Sequence, residues 1–148
     1  MQYLVAVDGS EPSTEALEHA LEVAERTGAS VVVAYAVEPR VLVEDSGEEA
    51  PTHAQVGERI YTENIEVAEE RGQDVLDDAR ELAAEAGVDV ETEVLYGDPV
   101  DSIVEYAAES AIDGIVVGHR GLSARVEVVG SVAKGLVEKA TVPVTVVK

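Results

Sequence analysis

Residues 31–37 read Val-Val-Val-Ala-Tyr-Ala-Val, an unbroken apolar run rich in β-branched side chains. Successive residues of a strand face opposite sides of a sheet, so a strand with no polar alternate must be covered on both faces. Parallel sheets flanked by helices meet that requirement. Tyr3–Val7 carries the same signature, Ile112–Val117 reads as another buried strand despite Asp113 near its start, and Pro143–Val147 supplies a further apolar run. Val88–Tyr96 differs: Val88, Val90, Thr92, Val94 and Tyr96 alternate with Asp89, Glu91, Glu93 and Leu95. That period of two marks a strand with one wet face, near a sheet edge.

The stretches between these strands have helical spacing. Glu11-Pro12-Ser13 opens the first helix, with proline and acid in the first turn. Ala16, Leu17, Ala20, Leu21 and Ala24 form its apolar stripe, and Gly28 ends it. A second helix is expected over Glu58–Ala86, with Val75, Leu76, Ala79, Leu82, Ala83 and Ala86 inward, Gly72 as a kink or fray and Gly87 as its stop. Asp98 caps a third, with Pro99 in its first position and Val100, Ile103, Val104 and Ala107 inward to about Ser110. Ser131 caps a fourth, ending near Ala140; Gly135 within it has no explanation in the sequence. Residues 38–57, with Pro39, Gly47, Pro51, Gly57 and an acidic cluster, read as a long loop. The resulting β-α-β-α-β-α-β-α-β order describes one α/β domain over residues 1–148 with a parallel sheet and right-handed crossovers. Ligands in such sheets lie outside the carboxyl ends of the strands, where the chain direction switches.

The chain contains no cysteine, which excludes disulfide frameworks, thiolate metal sites and thiol catalysis. Met1–Asp8 lacks a basic leader, and no apolar run approaches the roughly 18 residues of a membrane span, so a soluble, cytoplasmic protein is expected. The 31 acidic residues against 10 basic ones give a net charge of −21, which repels nucleic acid. Only three of the ten cations are lysine. An acid-rich, lysine-poor chain suits molar salt, where a Debye length of about 3 Å screens the repulsion; an ordinary acidic protein with glutamate-rich helices is the alternative. The charge is unevenly spread. Residues 1–119 hold five basic and 29 acidic residues, whereas residues 120–148 hold Arg120, Arg125, Lys134, Lys139 and Lys148 against Glu127 and Glu138.

This locally basic stretch contains the segment that suits a phosphate. Gly118-His119-Arg120-Gly121 follows a buried strand directly, and Gly130-Ser131 opens the last helix. Glycines let a backbone turn sharply and approach a ligand closely. A helix start offers free N–H groups and a positive dipole end, and Arg120 and Arg125 add charge. On spacing alone, ordinary turn and cap punctuation explains the same residues. There is no Gly-Lys-Ser/Thr phosphate loop and no metal-ligand spacing. His19, His53 and His119 are scattered, and His119 reads as a phosphate contact or as a solvated loop histidine.

Gly118–Val147, together with the opening Leu4-Val5-Ala6-Val7-Asp8-Gly9-Ser10-Glu11, Ser13, Ala16-Leu17 and the central Gly97-Asp98-Pro99, resembles the universal stress protein family over nearly the whole chain. The resemblance implies a doubly wound five-stranded parallel sheet in the order 3-2-1-4-5, of the adenine nucleotide alpha hydrolase-like type. It implies an ATP, ADP or AMP site with Mg²⁺ as the nucleotide's counter-ion. Asp8, after Val7, would face the nucleoside, and Val37 would offer its backbone to adenine. Gly118 and Gly121, with Val117, His119, Arg120 and Arg125 beside them, would lie along ribose and phosphates; Gly130, Ser131 and Val132 would hold the phosphates. Asp8 reads equally as a turn-forming residue and Ser131 as a plain cap. One departure stands out: Leu122–Val129 gives eight residues before the Gly-Ser pair where the family pattern has nine, and Ala124 replaces a glycine found in many relatives. The resemblance also implies a homodimer through Pro143–Val147. A nucleotide-dependent stress-response regulator is the leading expectation. A nucleotide-free dimeric adaptor and a slow ATPase are the alternatives.

Overall fold

The computed structural model describes residues 1–38, 41–43, 60–120 and 129–148. In chain order the elements are β1 (Gln2–Ala6), α1 (Glu11–Thr27), β2 (Ser30–Val37), β3 (Val41–Val43), β4 (Ile60–Thr62), α2 (Ile65–Glu85), β5 (Val90–Tyr96), α3 (Pro99–Glu109), β6 (Gly114–Gly118), α4 (Ser131–Lys139) and β7 (Val144–Val147). Five strands form one sheet in the order β5-β2-β1-β6-β7, all parallel. Counting only these five, the order is 3-2-1-4-5, as the resemblance implies. The alternating strand lies at one edge and the last strand at the other.

Two apolar layers cover the sheet. Leu17, Leu21, Leu76 and Ala83 of α1 and α2 pack with Val5, Val31, Val33 and Tyr35 on one face. Ile103, Ala107, Ala133 and Leu136 of α3 and α4 pack with Leu4, Val32, Ile115 and Val117 on the other. Alternate residues of the central strands enter opposite layers, which is why β1 and β2 carry a polar residue only at their first positions, Gln2 and Ser30. Complete burial of a leucine or valine side chain stabilises by about 1.5–3 kcal/mol. Leu4, Val5, Val33 and Ile115 are all 0% exposed, so the middle of the sheet contributes most per residue.

The expected second helix is corrected at its start. Ile60–Thr62 is a strand that pairs antiparallel with Val41–Val43 inside the expected loop. The helix begins at Ile65, where the Asn64 side chain accepts from the Glu66 amide at 2.8 Å. β-Branched and aromatic residues at 60–62 favour the strand. Gly72 is not a kink. It is buried in a continuous helix, and a Cβ there would stand 2.7 Å from the Tyr35 ring. Gly135 has the same explanation: a Cβ would meet Val100 at 2.6 Å, so its absence lets α4 close on α3. Both glycines have a packing partner distant in sequence, which outweighs their unfavourable helix propensity of about 1 kcal/mol.

Asp98 caps α3 as expected, accepting from the Asp101 amide at 3.0 Å, with Pro99 next. The helix ends on Ala111 at φ 54, a left-handed residue closed by an Ile112 N–H to Ala107 carbonyl bond of 3.1 Å. Alanine in this conformation costs roughly 1–2 kcal/mol, which glycine avoids. Ala111→Gly is therefore expected to raise the stability by about 0.5–1 kcal/mol, after allowance for glycine's greater unfolded entropy. A urea midpoint equal to or below that of the parent chain would contradict this assignment of strain.

Candidate functional site

The chain runs outward from β1 through β2 to β5, then returns to place β6 and β7 on β1's other side. The switch therefore falls between β1 and β6, and sheets of this kind take ligands over the carboxyl ends of the strands at that point. Asp8 to Ser13 lead from β1 into α1 at this rim, and His119 and Arg120 follow β6. Gly130 is brought beside them by its amide, which donates to the His119 carbonyl at 2.6 Å. Val37 ends β2 one strand away. The fold thus gathers at one rim the expected site residues that it describes. Gly121 and Arg125 lie outside the described residues.

Val7, Val37 and Val117 place their side chains in the core, so only their backbones are offered to the rim. The Val7 amide is already committed to the Ala34 carbonyl at 3.0 Å. Asp8 adopts the turn-forming role that its sequence context allows. Its Oδ1 accepts from the Ser10 amide at 2.9 Å and from the Ser10 hydroxyl. Gly9 follows it at φ +86, a conformation that favours glycine.

Gly118 is buried, and its lack of a Cβ has a reason within the protein. A Cβ there would stand 2.6 Å from the Pro12 carbonyl oxygen. The glycine thus lets the first turn of α1 close against the end of β6. The His119 amide extends the β6–β7 ladder by donating to the Val147 carbonyl at 2.9 Å, and its Nδ1 lies 3.2 Å from the same oxygen. A carbonyl can only accept, so Nδ1 carries the proton in this contact. The half-buried ring is tied to the last strand and is not a free loop histidine.

The four described helices divide sharply at their amino ends. Ser10, Asn64 and Asp98 cap α1, α2 and α3 with side-chain oxygens, and Glu11, Glu66 and Asp101 place an acid in each first turn. α4 has no side-chain cap and no first-turn acid. Its N-cap is Gly130, whose carbonyl accepts from Lys134 at 3.0 Å. Ser131, expected as the cap, is instead the first helical residue and is exposed; the extended backbone of Gly130 takes the cap position. The amino end of α4 therefore lacks the side-chain oxygen and acid that compensate the other three. Beside it, Arg120 has a buried Nε with no hydrogen-bond partner. A buried donor without a partner costs about 1–3 kcal/mol, more when charged. An anion at this rim would give the open amino end of α4 an acceptor.

Two side-chain clusters have little or no signal in the sequence. Ser10 and Ser13 are buried beside Asp8; the Ser-x-x-Ser spacing at a helix start was their only signal. Arg71 forks onto Glu63 with bonds of 2.9 and 2.8 Å, and its Nε is buried without a partner. Glu63 holds the Arg71 guanidinium well above its ordinary value, against the opposing effect of burial, with Tyr35 adding to the rise. Glu63 precedes its helix and no regular spacing links it to Arg71. Among the described residues no group of three or more His, Asp or Glu side chains could hold a metal ion, and no helix is long and apolar enough to cross a membrane.

Comparison with known proteins agrees with this geometry. The sequence profile of the universal stress protein family matches residues 1–148. A universal stress protein of Methanocaldococcus jannaschii is 33% identical over 146 residues, covering 98% of this chain and 80% of that protein. The structure is similar to that of the universal stress protein UspA from Lactobacillus plantarum, with a TM-score of 0.76, 26% identity and coverage of 100% and 97%. It is also similar, with a TM-score of 0.66, 26% identity and coverage of 100% and 96%, to a universal stress protein crystallised in complex with cAMP. Strand order, rim and sequence agree, and the chain belongs to the universal stress protein family.

Proposed function

We propose that this chain binds an adenine nucleotide, ATP, ADP or AMP, at the β1–β6 rim and acts as a nucleotide-dependent stress-response regulator. The bare amino end of α4 carries the reading: it alone among the described helices has neither a capping side chain nor a first-turn acid. In this reading the amides of Ser131 and Val132 and the Gly130 turn hold phosphate oxygens, with Arg120 and Arg125 neutralising charge. Gly118, His119 and Gly121 border ribose and phosphates, Val37 meets adenine through its backbone, and Asp8 receives a donor of the nucleoside. Mg²⁺ arrives with the nucleotide. The chemistry is binding and release, and the 148 residues work as one domain.

Saturating nucleotide stabilises a folded protein by about 2.7 kcal/mol at a hundredfold excess over Kd. Thermal unfolding in molar potassium chloride is expected to show an upward shift with at least one of ATP, ADP, AMP or cAMP. Arg120→Ala is expected to weaken that ligand about tenfold or more, as loss of a charge-assisted bond requires. No shift with any of the four would sink the reading and favour a nucleotide-free adaptor.

The protein is further proposed to act as a homodimer through the final strand. Among the described residues neither outer strand of the five-stranded sheet has a second strand partner, and the two edges are unlike. β5 carries Glu91 and Glu93, whereas β7 carries Val144, Thr145, Val146 and Val147 and no charge. Charged edges resist pairing and uncharged apolar ones invite it, and pairing of like edges across a two-fold axis closes the assembly. Light scattering is expected to give twice the 15.6 kDa chain mass; a monomer at every concentration contradicts this.

The acid excess is proposed to be an adaptation to a cytoplasm of high salt. The ion pairs among the described residues are Arg26–Glu22, Arg71–Glu63, Arg80–Asp77 and Lys139–Asp101, so most of the described carboxylates have no cation paired with them within that set. Screening falls from about 10 Å at 0.1 M to about 3 Å at 1 M. The thermal midpoint is therefore expected to rise steadily with potassium chloride over that range, and a flat or falling midpoint contradicts the proposal.

A further inference from the structure

We infer that Ser10 and Ser13 are positioning residues that hold the Asp8 carboxylate in a single orientation, with one oxygen committed to the protein and the other reserved for a hydrogen-bond donor of the ligand. The inference rests on the nucleotide reading and adds to it the residues that set the nucleoside end of the site.

The bonds form a closed knot. The Ser10 hydroxyl donates to Asp8 Oδ1 and accepts from the Ser13 amide at 3.3 Å. The Ser13 hydroxyl donates to the Ser10 carbonyl at 2.9 Å and accepts from the Asp8 amide at 3.3 Å. The Ser10 amide completes the pair of donors on Oδ1. Ser10 is 6% exposed and Ser13 5%, and they are the only buried polar residues among those described. A plain N-cap needs one hydroxyl bonded to one amide. Here two buried hydroxyls are used, and each both donates and accepts.

The knot leaves Asp8 asymmetric. Oδ1 has two donors, while Oδ2 receives none of the hydrogen bonds among the described residues. A carboxylate can only accept, so the group it is set to meet is an N–H or O–H. A sugar hydroxyl or an exocyclic amine fits and a phosphate is repelled. Pro12, between the two serines in sequence, abuts Gly118, so the helix start that this knot joins to Asp8 is seated on the end of β6. Phosphate recognition at α4 and donor recognition at Asp8 are thereby separate functions of one site. Fixing the acceptor before binding removes an ordering cost at the moment of association.

The test is calorimetric titration of the full chain in molar potassium chloride with two probes, ATP and inorganic triphosphate. Ser13→Ala and Ser10→Ala are each expected to weaken ATP by about tenfold, the equivalent of one hydrogen bond to a charged group, and to leave triphosphate within about twofold. Ser10→Thr, which keeps the hydroxyl, is expected to restore ATP affinity. In an Asp8→Ala background, Ser10→Ala is expected to add less than about twofold, because coupled residues are not additive. Circular dichroism before each titration confirms that the variant is folded, and Ser13→Ala serves should loss of the cap at Ser10 unfold the chain. Equal loss of both probes assigns the serines to the fold alone and overturns the inference. So does unchanged ATP affinity in both alanine variants, with the nucleotide reading left standing. Failure of the parent chain to bind ATP overturns both.

Discussion

The approach of Pro12 to the bare Cα of Gly118 sets the relation between the two halves of this molecule. Residues from β1 to β5 build one side of the sheet and residues from β6 onward build the other, and they meet at the β1–β6 seam. Parallel pairing fixes the register of the seam, since Tyr3 to Ala6 face Gly114 to Val117. It does not fix what happens above the strand ends. There the first turn of α1 is seated on β6, with 2.6 Å separating the Pro12 oxygen from any Cβ that Gly118 could carry. A side chain at 118 would lift α1 from the rim and move the Asp8 turn with it, because Ser10 and Ser13 join that turn to the helix start. Glycine at this position thus shapes the rim through protein contacts, whatever it offers to a ligand.

The same seam explains why a hydrophobic sheet can bear a polar site. Every backbone group inside a parallel sheet is paired, and both faces are covered by apolar layers. Unpaired amides and carbonyls therefore concentrate at strand ends and helix starts. Three of the four described helices compensate their starts with Ser10, Asn64 and Asp98. The exception, α4, begins beside the switch point, next to an arginine whose Nε has no partner. Among the described residues neither has an acceptor, and each is costly until one is supplied.

Most of this architecture could be read from the residues, and the failures share one cause. The five sheet strands, their alternation with helices, the edge position of Val90–Tyr96 and the Asp98–Pro99 helix start all follow from local periodicity and cap chemistry. The strand order came from family resemblance and not from spacing. The roles of Gly72 and Gly135 are not legible locally because their partners, Tyr35 and Val100, are more than thirty residues away. Ile60–Thr62 continued a helical pattern on paper, but its pairing with Val41–Val43 is a tertiary fact. At the rim, Asp8, Arg120 and Gly130 stood out as punctuation and charge. The second hydrogen bonds of Ser10 and Ser13, and the Glu63 fork on Arg71, required coordinates.

The charge distribution bears on how such a rim would select its ligand. A protein of net charge −21 repels a nucleotide polyanion at long range, so field steering works against association. Molar salt shortens that repulsion to about 3 Å and weakens every exposed cation by the same screening. Contacts that survive such screening are short, directional and partly buried: amides at a helix start, an arginine beside it, and the Asp8 carboxylate oxygen that the two Ser10 bonds leave unoccupied. The acid surface and the hydrogen-bonded rim are thus compatible parts of one design. High salt would remove the long-range penalty while leaving close hydrogen bonds largely intact, and in the proposed reading recognition would depend on the geometry of Asp8, Arg120 and the Gly130 turn instead of on net charge.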